Sequence, residues 1–236
     1  MRTLSAASLA SLLLLAPPAR AEMPGHGSGD LAGLPLVEVP AAAAGNGTLA
    51  IILTGDGDWA AIDKAIAADL TQHGVAVVGL NMRAYLTHRR TPDETANDVA
   101  RVARHYMDAW QRGRVVLVGY SRGADIAPFV ANRLPADLKA RLSLVALLGP
   151  STYANFEFHW ADLVSNVTRP DDLPTPPELS RLKGTKVVCI YGTGEKDSLC
   201  RAADPHAVTL VPREGQHHFD GDFRALGDVI LNAMGS

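Results

Sequence analysis

The stretch "VVLVGYSRGAD", Val115 to Asp125, decides how the rest of the chain is read. A run of apolar, β-favouring residues leads into a glycine and then a serine set among small neighbours. Val115–Gly119 predicts a strand and Ser121–Leu134 a helix, which puts Ser121 on the turn between them. Gly119, Ser121 and Gly123 therefore satisfy G-x-S-x-G in the strand–turn–helix context where that motif raises a nucleophilic hydroxyl at the carboxyl end of a sheet. Serine is also a common helix N-cap. The stretch alone leaves both readings open.

Working outward, the same alternation recurs on both sides. Thr48–Thr54, Val75–Leu80, Leu142–Leu148, Lys186–Tyr191 and Ala207–Val211 predict strands, and Ala60–His73, Pro92–Gln111 and Asp222–Ala233 predict helices. These strands are apolar throughout and not alternating, as expected when helices cover both faces of a sheet. Helix-separated strands of this kind imply a mostly parallel central sheet with helices on both faces, joined by right-handed crossovers. Gly149–Gly184 interrupts the rhythm with "TYANFEFHW" and "RPDDLPTPPEL", and reads as an insertion that serves as a lid or binding loop. Its aromatics, Phe156 to Trp160, suit either contact with a lipid surface or packing within a lid.

A nucleophilic serine needs a base and an orienting acid, and in this architecture they follow it in the order acid, then histidine. After the next-to-last strand comes "IYGTGEKDSLC", with Glu195 and Asp197; after the last comes "VPREGQHHFDGDF", with His217 and His218. Asp197 is taken as the acid because the "SLC" after it leads away from the strand, with Glu195 as the alternative. His217 is taken as the base because it follows the Gly215-Gln216 turn, which points His218 the other way. Oxyanion donors are expected from the backbone N–H of Arg122, the residue after the nucleophile, and of Asp56 in "LTGDGDW". Asp58, Trp59 and Asp125 are expected at the substrate site, where the acids would favour an ammonium-bearing substrate. No metal-ligand spacing is present, and no cofactor is expected.

Composition narrows the classes further. The 236 residues are 47% hydrophobic and 20% charged, ordinary for a globular chain, and a net charge of −3 provides no basic stripe for nucleic acid. Residues 1–21, "MRTLSAASLASLLLLAPPARA", predict a secretory signal with an A-x-A cleavage site. A leader and first strand region would occupy residues 22–45, and a single domain residues 46–236. Export would place the protein in a periplasm. There the two cysteines, Cys189 and Cys200, form either a bridge or an unpaired couple, one in the sheet and one on a loop.

Together "ILTGDGDW", "GYSRGAD", "PFVANRLP", "NFEFH", "PPELSRLKG", "CIYGTGEKDSLC" and "GQHHFDGDF" resemble the bacterial VirJ/AcvB virulence-protein family of periplasmic α/β-hydrolases, in its short single-domain form. The resemblance implies an α/β-hydrolase fold and a triad of Ser121, Asp197 and His217. It also implies a bridge between Cys189 and Cys200. The activity it implies is hydrolysis of aminoacylated phosphatidylglycerol, notably the lysyl lipid, with the headgroup at the membrane surface as partner and a link to type IV secretion components. Two positions depart from the family pattern: Asp58, where glycine is expected, and Arg122, where an apolar or aromatic residue is commoner. A general carboxylesterase or lipase, and a non-catalytic binding protein associated with secretion, are the competing readings.

Overall fold

The computed structural model describes residues 31–41, 45–163 and 168–235. The expected signal segment, and residues 22–30 and 42–44 of the expected leader, lie outside the described residues. The leader's end joins the sheet as β1, Leu36–Val39, an antiparallel edge strand on β3, Ala76–Leu80. The Tyr106 phenol donates to Glu38 Oε1 at 2.6 Å and fastens that edge.

The remaining elements follow as β2 Thr48–Leu53, α1 Ala61–Gln72, α2 Met82–Tyr85, α3 Pro92–Ala109, β4 Arg114–Tyr120, α4 Arg122–Arg133 and α5 Ala136–Lys139. After them come β5 Leu142–Leu148, β6 Tyr153–Ala154, β7 Leu173–Pro174, α6 Thr175–Ser180, β8 Val187–Gly192, α7 Leu199–Ala202, β9 Thr209–Arg213 and α8 Phe223–Gly235. The main sheet runs β1-β3-β2-β4-β5-β8-β9 and is parallel from β3 to β9. This is the architecture that the apolar strands predicted.

Strand β2 shows why those strands lack polar positions. Leu49, Ile51 and Leu53 enter the core beneath α3 and α4, while Ala50 and Ile52 enter the core beneath α1 and α8. Each such fully buried Leu or Ile stabilises the fold by about 1.5–3 kcal/mol relative to exposure. Helix α3 starts at Pro92, as the sequence predicted, in the run "TPDE" of residues 91–94: Thr91 Oγ1 accepts from the Glu94 N–H, the Glu94 carboxylate accepts from the Thr91 N–H, and Pro92 opens the first turn.

Topology fixes where a site can form. From β2 the chain winds outward to β3, then reverses and continues through β4, β5, β8 and β9, so the order switches between β2 and β4. A crevice opens at the carboxyl ends of strands flanking such a switch. Register holds the two ends level, with Leu53 opposite Gly119. The insertion at Gly149–Gly184 is partly structured: β6 pairs with β7, and α6 packs on α4.

Candidate active site

The turn between β4 and α4 is held by steric necessity. A Cβ on Gly119 would lie 2.4 Å from the Gly123 carbonyl oxygen, and one on Gly123 would lie 2.0 Å from that of Leu53. Only glycine allows α4 to approach β4 and β2 this closely. Between them Ser121 adopts φ 52° and ψ −121°, a conformation rare for a residue with a side chain, and its hydroxyl makes no capping bond to the helix. The N-cap reading of this serine is thereby excluded. Its Oγ lies 2.8 Å from His217 Nε2.

The other ring nitrogen, His217 Nδ1, lies 2.7 Å from Glu195 Oε1. An ionised carboxylate can only accept, so Nδ1 carries the proton and Nε2 is left to accept from the serine hydroxyl. The Glu195 hydrogen bond is the main cause raising the His217 pKa above the ordinary histidine value; burial opposes it, and the charges of Glu195, Asp125 and Asp56 add to it. For Glu195, burial pushes upward, but the bonds from His217 and the Gly192 N–H and the charges of His217 and Arg201 hold the carboxyl below its usual range.

The expected acid, Asp197, is therefore corrected. Glu195 folds back toward the strand end because its Oε2 accepts from the Gly192 N–H at 2.7 Å and its own N–H donates to the Gly192 carbonyl at 3.0 Å. Asp197 lies farther along the loop, exposed, on the wall of the adjoining cavity. After it, Ser198 bridges antiparallel to Ser151. Cys189 of β8 and Cys200 of α7 are both fully buried and joined by a disulfide, with Cα atoms 5.6 Å apart. The bridge closes the loop that carries Glu195. Arg201 also binds this loop, donating to the carbonyls of Glu195 and Thr193 at 2.7 and 2.6 Å.

Tyr120, next to the nucleophile, carries no signal in the sequence of a role at the site. Its ring stacks on the His217 imidazole with centroids 5.5 Å apart, and its hydroxyl lies 2.9 Å from His218 Nδ1. Burial first, then the charges of Asp63 and Glu195, push its phenol pKa well up, so it stays neutral. The motif wrote an unspecified residue at this position, and only the fold shows that it faces the base.

Beside Ser121 a cavity of about 630 Å³ is walled by Asp56, Arg122, Asp125, Ser151, Asn155 and Asp197, among others. The β2–α1 turn approaches the nucleophile: a Cβ on Gly55 would lie 3.2 Å from Ser121 Cβ. The Asp56 carboxylate is gripped by Arg122, whose Nε and Nη2 donate to Oδ1 and Oδ2 at 2.5 and 3.0 Å. Asp58 and Trp59 depart from expectation. Asp58, at φ 59°, turns away to accept from Arg83 Nη1 at 3.0 Å and Asn81 Nδ2 at 3.1 Å. The Trp59 ring fills the space above Gly79 of β3, where a Cβ would meet it at 2.3 Å. Neither residue lines the cavity, and the acids expected to draw a cation reduce mainly to Asp125. Its Oδ1 accepts from the Ser151 N–H at 2.5 Å, and burial raises its pKa to about 7 against the opposing pull of that bond, Arg122 and His217.

The aromatics of the insertion divide between burial and exposure. Phe156 is buried edge-on against Phe129, while Trp160 is 71% exposed with the Arg83 guanidinium 5.0 Å from its ring. Among the described residues no helix is long and apolar enough to cross a membrane.

This sheet, with a serine turn after its central strand and a histidine and acid on later strand ends, defines the α/β-hydrolase class. The chain belongs to the bacterial virulence protein (VirJ) family, whose pattern matches residues 47–236. No curated protein matches it. Among solved structures it is similar to Est1E from Butyrivibrio proteoclasticus, at 14% identity and a TM-score of 0.60, covering 85% of this chain and 93% of that one. It is also similar to an alpha-beta serine hydrolase homologue from Coxiella burnetii, at 15% identity and TM-score 0.60, over 84% and 89% of the two chains. An esterase domain from a Rhodothermus marinus protein aligns at 13% identity and TM-score 0.54, over 83% and 95%. At these identities the likeness establishes the fold.

Proposed function

We propose that this chain is an exported serine esterase that removes the amino acid, lysine foremost, from an aminoacylated phosphatidylglycerol at the periplasmic membrane surface, in support of virulence through type IV secretion. The observation that carries the reading is the hydrogen-bonded line from Glu195 through His217 to Ser121, opening on a polar cavity that holds Asp125. Family membership and the buried disulfide, a bond favoured in oxidising compartments, support it.

In this mechanism His217 Nε2 takes the Ser121 proton as Oγ attacks the aminoacyl carbonyl carbon. The developing oxyanion is met by the N–H groups of Asp56 and Arg122. The tetrahedral intermediate collapses, the ester C–O bond breaks, and His217 returns its proton to the departing glycerol oxygen. A water, deprotonated in turn by His217, attacks the acyl-enzyme carbonyl; as the Ser121 Oγ–C bond breaks, His217 returns that proton to Oγ and the free amino acid is released. No step calls for a metal or an organic cofactor.

Charge supports the substrate class. Asp56 is matched by Arg122, and the Asp172 carboxylate accepts from Asn155 Nδ2 and the Arg169 N–H. Among the described residues Asp125 has only the Ser151 N–H as a hydrogen-bond donor, and with the exposed Asp197 it offers negative charge in the cavity to the α-ammonium borne on the carbon next to the attacked carbonyl. Lys196 and Arg169 bring positive charge to the same cavity, where the lipid phosphate would follow. With Asp125 titrating at about 7, KM for an aminoacyl ester falls as pH rises through that value, because the carboxyl then ionises.

A neutral acyl ester of the same alcohol serves as the control. Its KM should not follow pH in this way, and Asp125→Asn should abolish the difference between the two esters. Equal kcat/KM for both esters in the wild type would favour the second reading, a general carboxylesterase. That reading draws support from Est1E, a structural neighbour also solved with ferulic acid bound.

A further inference from the structure

The residues whose amides are assigned to the oxyanion are also tied together by their side chains. Arg122 and Asp56 come from different loops, 66 residues apart in the chain, and form a two-point fork in which the Arg122 side chain is only 8% exposed and the Asp56 side chain 21%. The third guanidinium nitrogen, Nη1, reaches the carbonyls of Asn155 and Glu157 in the insertion at 3.3 and 3.4 Å.

We infer that the Arg122–Asp56 pair is an oxyanion latch: a positioning pair that holds the β2–α1 turn and the start of α4 so that their two amides converge on one point, with the insertion anchored to the same guanidinium. This rests on the serine-esterase reading. Two physical considerations favour it. Burying a cation and an anion together adds little net stability, and an apolar pair would close the same gap as well, so what the fork contributes is geometry. Oxyanion donors act only when they are fixed in advance, and a misplacement of about 1 Å costs about 100-fold in rate. The pair also cancels a charge that would otherwise be hostile, since an unpaired Asp56 carboxylate would repel the developing oxyanion.

The latch predicts an asymmetry between its halves. Arg122→Met should lower kcat about 100-fold, because it loses the fork and leaves Asp56 unopposed beside the oxyanion. Asp56→Asn, which removes the charge and keeps an acceptor, should lower kcat about 10-fold, and adding it to Arg122→Met should recover activity. Arg122→Lys keeps the charge and loses the fork, and should fall between the single variants.

The experiment measures kcat, KM and Tm for the mature chain and these four variants on the neutral acyl ester, whose binding does not depend on Asp125, together with inhibition by a boronic acid, a mimic of the tetrahedral intermediate. A fluorophosphonate label on Ser121 reports the nucleophile independently. The latch predicts falls in kcat and in boronate affinity that run in parallel, with KM within about 3-fold and Tm within a few degrees. Boronate affinity that stays constant while Tm drops would reduce the pair to a structural bridge and overturn the inference. A wild type that is labelled and active, with Arg122→Met and Arg122→Lys equal to it, would overturn the latch and leave the esterase reading standing. A folded wild type that neither takes the label nor cleaves any ester would overturn both. If Arg122→Met does not fold, Asp56→Asn and Arg122→Lys carry the same comparison.

Discussion

The turn bearing Ser121 and the loop bearing Glu195 stand at the same carboxyl end of the sheet and both start in glycine-enforced backbone contact, but only the acid loop carries cross-links besides. The serine turn is fixed by close backbone contact, with glycines at 119 and 123 against the carbonyls of Gly123 and Leu53. The acid loop starts at Gly192, where a Cβ would lie 2.4 Å from the Gln216 carbonyl oxygen, and is then tied by a disulfide, the Arg201 side chain and a carboxylate turned back onto Gly192. Local sterics leave a pattern in consecutive residues. Closure leaves almost none.

That difference can be broken at several points. The largest effect belongs to Ser121: Ser121→Ala should lower kcat about 10⁴-fold or more in an ester assay. Ser121→Gly should be equally inactive but raise Tm, since φ 52° costs a serine about 1 kcal/mol that glycine does not incur. A Tm unchanged or lowered by Gly would show that the turn is not strained.

Next comes the choice of acid. Glu195→Gln should lower kcat/KM about 100-fold or more, while Asp197→Asn should stay within about 3-fold. The pH profile carries the sign. Glu195 raises the His217 pKa, so the free base forms only above that raised value and the acid limb lies above the ordinary histidine position. Removing the carboxylate lets the pKa fall, and the limb should move to lower pH. A limb that moves in Asp197→Asn instead would restore the other assignment.

Smaller effects follow. Tyr120→Phe keeps the ring on His217 and loses the contact with His218, and should lower kcat about 3- to 10-fold with KM unchanged. Replacing Cys189 and Cys200 together by Ala should cost about 2–3 kcal/mol in urea unfolding, as expected for a bridge across a short loop. Activity at moderate temperature should drop only a few-fold, because Arg201 and Gly192 still hold Glu195. A loss of activity as large as that of Glu195→Gln would make the bridge the chief support of the acid.

The same contrast explains what the sequence disclosed. Apolar strands, the "TPDE" helix start and the glycine-flanked serine are local signals, and the architecture, the nucleophile and the candidate base followed from them. Glu195 and Asp197 stand two residues apart on one loop, and the choice depends on a turn closed by Gly192, which spacing does not encode. Asp58 and Trp59 follow the oxyanion turn so closely that proximity in sequence suggested a shared site, but a left-handed residue at 58 sends both toward β3 and α2. The Arg122–Asp56 fork joins side chains on separate loops, and the sequence marks both residues only through their backbone N–H groups, with Arg122 also a departure from the family pattern.

Cleavage of an aminoacyl ester by Ser121 is the step on which the proposed function depends. It is tested most directly by adding the purified mature protein to vesicles containing lysyl-phosphatidylglycerol and measuring free lysine, with Ser121→Ala alongside. Multiple turnovers of lysine release are expected from the wild type and none above background from the variant. Release at equal rates by the two, or no release by a wild type that cleaves other esters, would contradict the proposed function.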